Sequence, residues 1–170
     1  MKIKNEKGIT LVALAITIIV LLIIAGIGYN YGKEAIQKAQ LEELRTNMLL
    51  IEAKAKGLVE EVNFKIGLTK EGDSDFTSKK DTAENEVYVG AGLEKVTNAS
   101  DVSAPSGVPA TECYKVTDTA FENWGLEDIE LEENEYYLIK FDDVNATVEV
   151  YNTLGYDGRY SLTDIDNLEV

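Results

Sequence analysis

Positions 41–62 read LEELRTNMLLIEAKAKGLVEEV. Leu41, Leu44, Met48, Ile51, Ala55, Leu58 and Val62 fall at alternating steps of three and four, while Glu42, Glu43, Arg45, Glu52, Lys54 and Lys56 take the other faces. That spacing follows a 3.6-residue period and predicts an amphipathic helix. A three-four stripe is the usual core face of a helix, so the expected partner is the chain's own carboxy-terminal region. A homodimeric coiled coil is the competing reading. It needs the stripe to run on without a globular partner, and the residues after Val62 must rest on something.

Upstream, positions 9–28 read ITLVALAITIIVLLIIAGIG, with no charge and with Thr10 and Thr17 as the only hydroxyls. At about 1.5 Å per residue this tract covers about 30 Å as a helix, the hydrocarbon thickness of a bilayer, and Ile9 to Gly28 is expected to span a membrane. Lys2, Lys4 and Lys7 precede it with Glu6 among them. Cytoplasmic flanks are the Lys-rich ones, so the amino terminus is expected inside and Tyr29 onward outside. A secretory signal would have a shorter apolar core and a small-x-small cleavage site, whereas this tract is long and ends in Ala25-Gly26-Ile27-Gly28. No Pro interrupts positions 9–65, and only Gly26, Gly28, Gly32 and Gly57 weaken them. One helix of roughly 55 residues, about 80 Å long, is the simplest expectation.

The chain has 170 residues, 31 Asp and Glu against 16 Lys and Arg, a net charge of -15, one Cys and no His. His-based catalysis, a His metal site and an internal disulfide are therefore excluded. Cys113 alone could form only an intermolecular bond. A surface this acidic repels phosphate backbones, so no direct nucleic-acid binding is expected.

Lys7-Gly8-Ile9-Thr10-Leu11-Val12-Ala13-Leu14, at the end of a short basic leader and the start of a long apolar helix, resembles the processing site of type IV pilins and pseudopilins. In that family a membrane-embedded prepilin peptidase cuts after the Gly and methylates the new amino terminus. The resemblance implies cleavage between Gly8 and Ile9, and N-methylation of Ile9. It covers about the first thirty residues, and the leader, the Gly, the apolar helix and its amphipathic continuation all agree. Loss of positions 1–8 removes three Lys and one Glu and takes the net charge from -15 to -17. The screened repulsion between acidic heads, felt over about 8 Å, leaves packed helices able to hold them together.

Most major pilins carry a Glu four residues beyond the first mature residue, where it pairs with a neighbouring subunit's amino group; this chain has Ala13. An uncompensated buried charge costs several kcal/mol. The Ile9 amine is therefore expected to stay near water, to find hydroxyl or carbonyl partners such as Thr10 and Thr17, or to sit at a filament end. Similar Gly-Ile-Thr-Leu-Val-Ala-Leu tracts without the Glu occur in pilin-like proteins of Gram-positive bacteria. The helix-kinking Pro common in the family is also absent, since position 30 is Asn and both prolines lie at 105 and 109.

After Lys65 the pattern changes. Residues 67–85, with Gly67, Gly72, Asp73, Ser74, Asp75, Ser78 and the Lys79-Lys80-Asp81 charges, read as an exposed loop. Glu86 to Val89 reads as a brief strand, and Asn98 to Ala110 as a second surface loop. Thr117 to Leu126 reads as a short helix, with cap oxygens at Thr117-Asp118-Thr119 and Gly125 placed to stop it. Tyr136 to Phe141 and Thr147 to Tyr151 predict an antiparallel hairpin. Asp157-Gly158 predicts a second tight turn, after which Ser161-Leu162-Thr163 pairs briefly. A sheet of three or four strands would then lie on the Leu41 to Val62 stripe, as the resemblance also implies.

Tyr136, Tyr137, Tyr151, Tyr156 and Tyr160 invite a carbohydrate- or ligand-binding face, but strand tyrosines more often pack the sheet. Asp157, Asp164, Asp166 and Asn167 offer hard oxygens, and some pseudopilins hold calcium in a loop near the carboxy end. Their spacing fits no full calcium-loop pattern, so a solvated acidic tail is the favoured reading. Asn98-Ala99-Ser100 and Asn145-Ala146-Thr147 fit the glycosylation triplet and carry little weight.

The expected fold is α+β and pilin-like: a leader at 1–8, a membrane and filament-core half-helix at 9–28, an amphipathic half at 29–65, and a globular head at 66–170. The expected role is a non-enzymatic subunit, major or minor, of a type IV pilus-like filament. It needs no cofactor. Its partners would be other pilin subunits, the prepilin peptidase, the assembly machinery and, before assembly, membrane lipid. The protein would be single-pass in the cell membrane, head outside, and then part of a surface filament. The alternative is an uncleaved single-pass anchor displaying an extracellular ligand-binding domain. An anchored enzyme would need an acidic pair assembled in the head.

Overall fold

The structure, a computed structural model, describes residues 7–69 and 71–168, with side chains described at 14–23, 32–69 and 71–168. The chain divides into two compact units, residues 1–40 and 41–170. Helix α1, Lys7–Ile66, runs through the boundary and is a single element, as the absence of Pro predicted. In the first unit the apolar side chains Leu14, Ile16, Ile18, Ile19, Val20, Leu21, Leu22 and Ile23 are all exposed.

The second unit is α+β. Its sheet has five strands, β1 Leu93–Lys95, β2 Tyr114–Val116, β3 Tyr137–Asp142, β4 Thr147–Tyr156 and β5 Arg159–Ser161. They lie in sequence order and every neighbouring pair is antiparallel. Three short helices are added: α2 Phe76–Glu84, α3 Asp118–Trp124 and α4 Leu162–Asp166. The sheet exceeds the expected three or four strands because β1 and β2 are three residues each, too short to show an alternating pattern.

The stripe packs under the chain's own sheet. Leu41, Met48, Ile51, Ala55, Val59 and Val62 are 0 or 1% exposed, and Leu44 and Leu58 are half-buried beside them. They meet Leu93, Tyr114, Val116, Tyr137, Ile139 and Val150 from the facing side of the strands. Alternate strand residues point the other way. There Leu138 and Tyr151 join Val96, Val102, Ala110 and Cys113 in a second, smaller core. The 98–110 segment is thus a cover for the outer sheet face. It is built from 3₁₀ turns at Ala99–Val102 and Ala110–Glu112 and pinned by the Lys140–Glu112 ion pair.

Two expectations between residues 67 and 89 need correction. The 67–85 stretch holds α2, whose polar sequence hid a helix with Ala83 buried and Phe76 half-buried against the core. Glu86 to Val89 is part of a π-helical turn, Asn85–Val89, and not a strand. Ala83, Val87 and Tyr88 recur at steps of four and one, so helical winding aims all three at the core. β-branched and aromatic content suits a strand equally well, and a four-residue window cannot separate the two.

Local signals performed well elsewhere. Thr117 caps α3, its Oγ1 accepting from the Ala120 amide at 3.4 Å, and Gly125 closes the helix at φ 65°. Asp157 at φ 49° and Gly158 at φ 72° form the expected tight turn between β4 and β5. β4 runs to Tyr156, past its expected end, through a register shift between Tyr151 and Tyr156. Asn152 closes that irregularity, its Oδ1 accepting from the amides of Leu154 (3.0 Å) and Gly155 (2.8 Å). Ser161 ends β5, and the chain turns at once into α4 where further pairing was expected.

Candidate functional site

The cleavage position expected from the resemblance lies in the first turn of α1. The backbone there is helical from Lys7, while residues 1–6 and the Ile9 side chain lie outside the described residues. So do the side chains of Thr10 and Ala13, on which the amine partner question turns. The expected membrane span is described in side-chain detail only at 14–23. Among the described residues no helix is long and apolar enough to cross a membrane.

In the head, none of Tyr136, Tyr137, Tyr151, Tyr156 and Tyr160 is exposed. Tyr137 and Tyr151 are buried, one in each core, and the others are half-buried. Burial, helped by the nearby Glu135 charge, pushes the Tyr137 hydroxyl up to about 12. Tyr136, Tyr137, Tyr151 and Tyr156 belong to the packed cores on the two sheet faces. Asp157 sits in the β4–β5 turn, Asp164 in the first turn of α4, and Asp166 at its end. Asp164 accepts the Ser161 hydroxyl at 2.9 Å, and Asp166 lies 3.3 Å from Arg45 Nε. Among the described residues no group of three His, Cys, Asp or Glu gathers to hold a metal.

Cys113 is fully buried, its thiol turned to the Pro109 carbonyl at 3.3 Å, and burial pushes it up to about 12. A buried, protonated thiol does not reach another molecule, so the intermolecular bond left open by the sequence has no access here.

Arg45 was expected on the solvent face of α1. Instead its side chain is only 18% exposed. Its Nη2 donates to the carbonyls of Ile165 (3.1 Å), Asp166 (3.2 Å) and Leu168 (3.0 Å), and Nη1 to Glu42. The guanidinium thus occupies the carboxy end of α4, where a helix offers unpaired carbonyls to a cation.

A polar cluster joins α2 to the β3–β4 turn. Lys80 Nζ lies 3.2 Å from Asp143 Oδ2 and 3.4 Å from Glu84 Oε1. The Tyr88 hydroxyl donates to Asp143 Oδ1, and the Tyr114 hydroxyl to Glu84 Oε2 at 3.4 Å. Tyr88 stacks on Phe141 with centroids 3.9 Å apart, and Tyr114 meets both rings edge-on. The Asp143 side chain is 5% exposed. Burial and the adjacent Asp143 push Glu84 above the usual carboxylate value, against the pull of Lys80. Burial disfavours the charge on Lys80, but pairing with Asp143 and Glu84 outweighs it and raises its pKa. Burial and Asp143 together push the Tyr88 hydroxyl far up, so it stays a donor.

Nothing in the sequence reading assembled this cluster. The signal available was Lys80, Glu84 and Tyr88 at successive steps of four, one face of a helix, in a stretch read as loop and strand. Asp143 joins only through the tertiary fold. Comparisons with family models, with curated proteins and with solved structures each find no match for this chain.

Proposed function

We propose that this chain is a non-enzymatic structural subunit of a type IV pilus-like filament, held in the membrane through Ile9 to Gly28 until its leader is cut after Gly8. The observation that carries the reading is the order of parts along one helix. A basic leader ends in Gly8, a charge-free tract begins at Ile9, and the same helix continues into a stripe that seats a five-stranded antiparallel sheet.

A tract apolar enough to rest in lipid can exchange lipid for identical neighbours at little hydrophobic cost, leaving packing to decide assembly. The exposed side chains of Leu14 to Ile23 supply such a surface. The partners on this reading are further subunits, the prepilin peptidase and an assembly machinery, and the head lies outside the cell.

Mass spectrometry of the amino terminus is the test. The expected mature chain starts at N-methylated Ile9. An intact Met1 in cells containing an active prepilin peptidase would overturn the proposal.

A further inference from the structure

The Lys80, Glu84 and Asp143 cluster has the parts of a condensation. An amine and a carboxyl lie in contact, a second carboxyl touches both, and the Asp143 side chain is 5% exposed beside the stacked Tyr88 and Phe141 rings. We infer that Lys80 and Asp143 join through an intramolecular amide, formed by the folded head itself, with Glu84 as the proton carrier. This inference rests on the head alone and stands whether or not the chain enters a filament.

The step balances without an oxidant or a co-reactant. A proton passes from the Lys80 ammonium to the carboxyl pair and frees the Nζ lone pair, an uphill transfer because both carboxylates favour the charged amine. Nζ attacks Cγ of Asp143, and the new C–N bond gives a tetrahedral centre. Glu84 accepts the second amine proton and delivers it to the departing Asp143 oxygen. The C–O bond breaks and water leaves, so an ammonium and a carboxylate become one amide and one water.

Each neighbour suits its part. The Tyr88 hydroxyl donates to Asp143 Oδ1, where negative charge builds in the tetrahedral centre. Its raised pKa keeps that proton in place. Glu84, pushed upward by burial and by Asp143, accepts a proton more readily than an ordinary carboxylate. Lys80 is held on α2 and Asp143 directly after β3, so the reacting atoms are brought together by folding, an advantage worth an effective molarity of about 10⁵ M or more in well-oriented cases. Asp143 also lines a cavity of about 350 Å³ with Asn63, Ile66, Thr69, Phe76 and Val144, which gives the released water a way out.

Two physical reasons favour the product. Condensation removes the charge of the Asp143 carboxylate, which is 5% exposed and therefore costly to keep ionised. It also closes a covalent loop from residue 80 to residue 143, spanning β1, β2, α3 and β3, in a chain whose single buried Cys113 offers no disulfide.

The test is intact-mass measurement and peptide mapping of the full-length folded chain after incubation at neutral pH. The expected result is a mass one water below that set by its amino terminus, with a branched peptide joining Lys80 to Asp143. Lys80→Arg, which keeps the positive charge, and Glu84→Gln should both return to the full mass with an unchanged far-ultraviolet circular dichroism spectrum. A wild-type chain at full mass, or a missing water mapped to another place such as Asp157-Gly158, overturns the inference. A link that forms undiminished in Glu84→Gln overturns the role given to Glu84.

Discussion

Arg45 on the long helix and Leu168 at the end of the described chain are joined by a hydrogen bond of 3.0 Å, from Nη2 to the carbonyl oxygen, across 123 residues of sequence. With its bonds to the Ile165 and Asp166 carbonyls, this makes one guanidinium the anchor of the carboxy-terminal segment. Hydrogen bonds involving a charged group contribute about 1.5–3 kcal/mol each when buried, less where water competes. Arg45→Ala should lower the unfolding free energy by about 1–3 kcal/mol in urea titration and speed amide exchange across 162–168. Arg45→Lys should recover only part, because one ammonium cannot meet the three carbonyls bound by Nη2 while also facing Glu42 and the Asp166 carboxylate, as Nη1 and Nε do. Unchanged exchange in Arg45→Ala would show that the segment is held by Leu162 and Ile165 alone.

Met48 and Ile51 are fully buried under the sheet, whereas Leu50, on the same turns of α1, is 42% exposed. Met48→Ala or Ile51→Ala should cost about 2–5 kcal/mol, from lost transfer energy and the cavity left behind. Leu50→Ala should stay within about 0.5 kcal/mol in the dispersed protein. Thermal melts of the three variants check the ordering, and equal losses would mean that this half-helix is not seated as described.

Gly155 and Gly158 both adopt positive φ, 61° and 72°, but their surroundings differ. A Cβ at Gly155 would lie 2.1 Å from the Arg159 carbonyl oxygen, while one at Gly158 meets nothing within 4 Å. Gly158→Ala should therefore cost only the backbone strain, about 1 kcal/mol. Gly155→Ala must also displace the β5 backbone and should cost more. Urea midpoints of the two variants decide it, and a smaller loss at Gly155 would contradict the close approach of β4 and β5.

Burial disfavours the Cys113 thiolate and pushes the thiol from its ordinary value of 9.0 up to about 12 in the folded head, with Lys140 pulling the other way. Between those values the folded state holds the proton and the unfolded state releases it. Its contribution to stability is therefore complete below pH 9 and is lost as the pH rises toward 12. The expected outcome is a decline in unfolding free energy over that range that is shallower in Cys113→Val, measured by urea titration at several alkaline pH values. Identical slopes in the two proteins would remove the thiol from the account. The buried tyrosines add to the same decline in both.

The sequence by itself determined what depends on neighbours along the chain. The steps of three and four from Leu41 to Val62 specified both the helix and its buried face. Thr117 and Gly125 bounded α3, and Asp157-Gly158 specified its turn, because capping and positive φ are properties of a few consecutive residues. The Gly8-Ile9 junction, too, is readable only as sequence. Tertiary structure decided the rest. It wound Asn85–Val89 into a π-helical turn so that Val87 and Tyr88 reach the core, and it recruited strands of three residues that only a completed sheet can hold. It also brought Lys80 to Asp143 and Arg45 to Leu168. Those pairings join residues on separate elements, and no local preference encodes a distance that exists only once the sheet has closed over the helix.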